Sequence, residues 1–82
     1  MKKLLDLRDV WQTNYNKIMQ VEMNNGDCIR GKLIIVDHFS GHRGIFRKIT
    51  DLKEYLESNG LRGMIEITLL AMDVKSCRSL DY

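Results

Sequence analysis

The chain has no proline, and only two cysteines, two histidines and one tryptophan. With no proline, nothing removes a donor from a hydrogen-bond ladder, which suits a compact sheet of paired strands. Cys28 and Cys77 stand apart without CxxC spacing. A disulfide scaffold carries more cysteines than this, so reduced thiols are expected. No apolar run approaches the ~18–20 residues of a membrane span, and no membrane partner is expected. Met1-Lys2-Lys3 starts like a secretory signal, but Asp6, Arg8 and Asp9 interrupt any apolar core, so a cytoplasmic protein is expected. Repeats, low-complexity segments and linkers are also missing. Residues 1–82 therefore read as a single domain.

The composition is that of a globular chain, 44% hydrophobic and 29% charged, which argues against disorder. A domain this small buries only about 60–65% of its unfolded surface. Pairing strand edges with copies of itself is one route to further stability, so a homo-oligomer is an open possibility. The net charge of +2 is too small to imply nucleic acid by itself. Its distribution is more telling. Between Cys28 and Thr50 stand Arg30, Lys32, Arg43, Arg47 and Lys48 against one acid, Asp37, a local excess twice the net charge of the chain.

Leu4, Leu7, Trp11, Tyr15 and Ile18 recur at three- and four-residue spacing, predicting an amphipathic helix from Lys3 to about Asn14. Trp11 and Tyr15 on that stripe read as core, because a helix laid over a sheet must bury its apolar face. From Ile18 the period becomes two. Strands are expected over 18–24 and 27–37, joined at Asn25-Gly26, whose residues accept the positive φ angles of a tight turn. Gly31 inside the second strand marks a bulge or bend. Further strands are expected over 45–49 and 64–72, with a short last one around Val74 and Cys77. Asp51-Leu-Lys-Glu54 fits a capping box and Gly60 a C-terminal stop, predicting a helix over 52–58. A continuous strand through Tyr55 is the alternative. Val21, Met23, Leu33, Ile35, Ile67 and Leu69 are the expected core.

The spacing Gly26, Gly31, Leu33, Asp37 within Val21 to Asp37 resembles the first half of the pattern of Sm-like (LSm/Hfq-type) proteins, with Val21 and Met23 as the inward pair. Related SH3-type barrels carry a similar glycine-bearing hairpin. The resemblance implies a mainly β fold with α: a small, strongly bent antiparallel Sm-like or SH3-type barrel with an N-terminal helix and a short helical insert. It does not extend to the family's base-binding residues. Gly41 stands where an asparagine is expected, and Leu69-Leu70-Ala71 lacks the arginine and glycine of the second half. Neither Leu70 nor Gly41 can supply an amide or a guanidinium.

The chain offers residues for three kinds of site. Asp37, His38, His42 and Cys28 are possible metal ligands, but a structural zinc needs three or four that converge, and loop histidines are the simpler account. Cys28 with His38 or His42 would be a nucleophile and base, yet no oxyanion device accompanies them, and Asp27 does not favour a thiolate. Gly41-x-x-Gly44 is too short for a phosphate loop and precedes a strand. No enzyme and no cofactor is expected. The basic set Arg30, Lys32, Arg43, Arg47 and Lys48, with Phe39 and His42 in the loop, is the best candidate. Charge beside a ring suits single-stranded nucleic acid, against the plainer account of a solvated edge. The expected function is a non-enzymatic regulatory binding module for RNA or a nucleic-acid-handling protein. The alternative is a phage or mobile-element inhibitor that blocks a host protein complex.

Overall fold

A computed structural model describes residues 5–80 of the chain. The element order is α1 (Leu7–Thr13), β1 (Met19–Met23), β2 (Cys28–Val36), β3 (Arg43–Ile49), α2 (Leu52–Glu57), β4 (Met64–Leu70), a 3-10 turn (Ala71–Asp73) and β5 (Val74–Ser79). All pairings are antiparallel, and the strand order is β4-β3-β2-β1-β5. The fold is therefore mainly β with two short helices. β4 and β5 are the two edges of one five-stranded sheet.

The helix begins later than its apolar stripe suggests. Asp6 caps α1, its carboxylate accepting from the Arg8 N–H at 2.9 Å. Lys3 and Leu4, where the helix was expected to start, lie outside the described residues. Seven residues are too few to hold a helix in water alone. What holds α1 is packing: Leu7 and Val10 are buried in the core. Tyr15, expected in the core, is 65% exposed, because the helix has ended at Thr13 and the stripe no longer winds. Trp11 is half-buried against the core.

The β1–β2 turn is one residue longer than the Asn-Gly pair predicts. Asn24, Asn25 and Gly26 form it, closed by Gly26 N–H donating to Met23 O at 3.0 Å. Only Gly26 takes a positive φ, 94°. Asn25 instead uses its side chain, accepting from Asp27 N–H at 2.9 Å.

β2 changes partner along its length. Cys28 to Gly31 pair with β1, and Gly31 to Val36 pair with β3. Gly31 is the residue common to both ladders, and a Cβ there would lie 1.9 Å from the Arg47 carbonyl oxygen. Strands that pass between two sheet segments in this way turn a corner at a bend or bulge. A second irregularity follows: Leu33 faces Phe46 and Ile35 faces Ile45, leaving Ile34 as an extra residue. One inserted residue shifts side-chain parity. Val36 therefore turns inward, and Ile35, expected in the core, is 61% exposed. Met23 and Ile67 are half-buried, while Val21, Leu33 and Leu69 are core as expected. β3 begins at Arg43, two positions before the alternation suggested.

The sheet is strongly curled. Four inter-strand spacings separate β4 from β5 in the pairing order, ~19 Å if the sheet were flat. The link between them is only Ala71–Asp73, whose four Cα steps reach at most ~14 Å. The edges can meet that link only if the sheet bends back on itself. The corner is pinned from both sides: Ala71 N–H donates to His42 O, and Asn24 N–H to Asp73 O, each at 2.8 Å. Inside the curve one cluster gathers Leu7, Met19, Val21, Phe46, Leu69 and Val74 with their neighbours.

Candidate functional site

The five basic residues do not converge on a point. Lys32, Arg47 and Lys48 lie on the β2–β3 ladder, Arg43 stands at its far end, and Arg30 precedes it, opposite Gln20 of β1. Lys32 and Arg47 are direct cross-strand partners, so their side chains leave the same face. Lys32 Nζ donates to Asn16 Oδ1 at 3.3 Å, and Arg47 is paired with Glu66 of β4 at 3.1 Å. Lys48 follows Arg47 and, by strand alternation, leaves the opposite face. Past the bend at Gly31, Lys48 and Arg30 border a common depression with Gln20 and Leu52. Arg43 opens β3 at the far end of the ladder, five positions from Lys48, or ~17 Å along the strand. The sequence grouped these cations by proximity in the chain. In space they form a seam with two ends.

The loop at the Arg43 end is built with more care than its composition suggests. Asp37 closes β2 and turns its carboxylate back into the loop, accepting from Phe39 N–H at 3.0 Å and from the Ser40 hydroxyl at 3.3 Å. The Phe39 N–H first of all, with the Ser40 donors, holds its carboxyl below the usual carboxylate range, against a smaller opposing cost of burial. Gly41 takes φ 69°, donates to Asp37 O and accepts from Leu7 N–H, both at 2.8 Å. A Cβ at Gly41 would fall 2.1 Å from an Asp6 carboxylate oxygen. Glycine is thus required at this position by the contact with α1.

Arg8 ties the two segments together. Its guanidinium forks onto the Asp6 carboxylate at 2.8 Å and donates to His38 O at 2.9 Å. The Arg8 side chain and backbone N–H together draw Asp6 down to about 2. On top of this brace sits Phe39, 99% exposed. His42, beside Arg43, is exposed as well, and His38 lies edge-on to Trp11 with ring centres 6.1 Å apart.

Asp6 and Arg8 were missed as contributors to this loop. The signal was present: an aspartate immediately before the first buried helical leucine is an N-cap pattern. Ile35 carried no such signal, because alternation alone does not show where an extra residue enters a strand.

The pairing of Cys28 with His38 or His42 is not assembled by this geometry. Cys28 starts β2 whereas His38 and His42 follow its other end. Cys77 lies on β5 opposite Val21, and burial pushes its thiol up to about 11, which keeps it protonated near neutrality. Cys28 lies opposite Glu22, one position along β1, so by alternation the two thiols leave opposite faces. Among the described residues, no three His, Cys, Asp or Glu side chains come together as metal ligands would. Nor is any described helix long and apolar enough to cross a membrane.

In comparison with known proteins, the chain matches no family model, no curated protein and no solved structure.

Proposed function

We propose that the chain is a non-enzymatic binding module of the Sm-like or SH3-type small-barrel kind, acting in regulation through its basic loop face. Its partner is RNA or a protein that handles nucleic acid. The observation that carries the reading is Phe39: a fully exposed ring held by a loop whose backbone is fixed by Asp37, Gly41 and Arg8. An exposed aromatic on a mobile loop is common. One on a braced loop, at the end of a cationic seam, has its ordering cost already met before a partner arrives. The barrel reading draws on the curl of the sheet and the corner at Gly31.

The test is fluorescence anisotropy with short single-stranded RNA at several salt concentrations. Binding should weaken steeply with salt, releasing ~0.7 counterions per phosphate contact. Replacing Arg43 and Arg47 by alanine should flatten the slope by about one to two units. Unchanged anisotropy at micromolar protein and low salt removes RNA as the ligand and leaves a protein partner.

A second reading, a phage or mobile-element inhibitor that pairs with the edge of a host protein, is favoured by β4. This edge strand carries Ile65 half-exposed, so it offers a partner both free backbone and apolar surface. Light scattering separates the two: a ring of copies favours the Sm-type module, a monomer or dimer the inhibitor.

A further inference from the structure

The irregularity at Ile34 does more than disturb the ladder. It turns Ile35 to the outside of the sheet, directly opposite Ile45, which is itself opposite Thr68 of β4. These three β-branched side chains form one cross-strand row on the outer face. They floor an open depression with Val36, Asp37 and Arg43 at its margin. The neighbouring row on one side is Lys32, Arg47 and Glu66, and on the other Arg43 faces Leu70. The outer face of an antiparallel sheet is normally polar where it meets water. At the middle of this one two isoleucines stand side by side with Thr68, and charge begins one row away. A dry centre with a polar rim is the anatomy of a protein interface.

The charge of the rim selects the occupant. Of the two carboxylates nearby, Asp37 is folded into its own loop and Glu66 is engaged by Arg47. Lys32 donates to a neutral amide, so the rim keeps an excess of positive charge. A nucleic acid would find phosphate partners on this rim. It would find no ring in the strip to stack a base on, and single strands bind on aromatic platforms. A second copy pressed face to face would set like charges against each other.

We infer that the Ile35–Ile45–Thr68 strip is a docking site for an acidic protein segment that carries one large apolar side chain, a conclusion that rests on the binding-module reading above. The apolar side chain sits on the two isoleucines, and its acidic neighbours meet Lys32 and Arg43.

The probes are two short Asp/Glu-rich peptides, one with a central leucine and one with serine in its place, together with oligouridine. Binding is followed by anisotropy and by the methyl resonances of isoleucine-labelled protein. The leucine peptide should shift the Ile35 and Ile45 methyl signals and bind about tenfold more tightly than the serine peptide, since one buried aliphatic side chain is worth about that factor. Ile35→Asp should abolish the difference while leaving the thermal transition in place, because the side chain is exposed. Equal binding of the two peptides overturns the site. So does movement of the same methyl signals by oligouridine, which would make the strip a nucleic-acid surface. If the leucine peptide fails while oligouridine still binds, the docking site falls and the module reading stands. Failure of both overturns the docking site and also removes RNA as the ligand of the module.

Discussion

The two halves of β2 are made of similar residues and behave differently. In Cys28 to Leu33 alternation predicts burial correctly: Ile29 and Leu33 are inside, Arg30 outside. In Ile34 to Val36 it predicts the wrong faces. Cys28 to Gly31 are laddered to β1 and Gly31 to Val36 to β3, so the second half has β3 on one side and no strand on the other. The helix takes that place. Trp11 Nε1 donates to Ile34 O at 3.1 Å, satisfying the carbonyl that the extra residue leaves out of the ladder. Beyond it, Arg8 and Leu7 hold the loop. Cys28 to Arg30 have β1 as their one strand neighbour, and that ladder runs without a shift and keeps its parity. A strand fixed by one neighbour and a helix is free to shift by one residue and re-aim its side chains.

The largest effect should come from the point where the two ladders meet. Gly31→Val puts side-chain atoms onto the Arg47 carbonyl, where even a Cβ would stand at 1.9 Å. Overpacking against backbone has no flexible neighbour to yield, so a loss of at least ~3 kcal/mol is expected in urea denaturation. A variant with the stability of the native chain would show that the two ladders are not joined at this residue.

A paired truncation sharpens the contrast between the halves. Leu33→Ala empties core volume and should cost ~2–4 kcal/mol. Ile35→Ala, two residues on, removes an exposed side chain and should stay within about 0.5 kcal/mol. Similar costs for both would mean that Ile35 is inside and the shift of register at Ile34 is absent.

The smallest effect concerns the brace beyond the second half. Asp6 is held at about 2, against 3.8 for a free aspartate, by the Arg8 side chain and backbone N–H. Because the folded-state value is lowered, its contribution is complete above 3.8 and fades as pH falls towards 2. Asp6→Asn should therefore flatten the decline of the melting temperature between pH 4 and 2, relative to the native chain. An unaltered decline would show that the Asp6–Arg8 pair does not help to hold the loop.

These two halves also mark how far the sequence could be read. Wherever one period ran undisturbed, element type was legible: both helices, the first hairpin, β4 and the last strand at Val74 and Cys77. Gly31 announced the bend because only a residue without Cβ admits the neighbouring strand so closely. Ile34 announced nothing, since an extra isoleucine in a row of isoleucines leaves the composition of the strand unchanged. The basic residues were found, but their arrangement along a seam was not, because pairing between β2 and β3 decides which cations become neighbours. Phe39 was legible as a loop aromatic. The brace beneath it depends on Asp6 and Arg8, some thirty positions away, and no local pattern connects them.

The short link Ala71–Asp73 also governs the order in which this sheet can be completed. β1 lies next to β2 in the chain, yet its outer partner is the last strand: Met23 pairs with Val74 and Met19 with Ser79. The hairpin contacts are local and close quickly, whereas this one waits for nearly the whole chain and carries the largest loop-closure cost of any pairing in the fold. Until then the outer edge of β1 presents unpaired amides and carbonyls. Before β5 docks, the outer edge of β1 is thus open to pairing with a neighbour's strand, and the corner at Ala71–Asp73 places β5 directly on that edge.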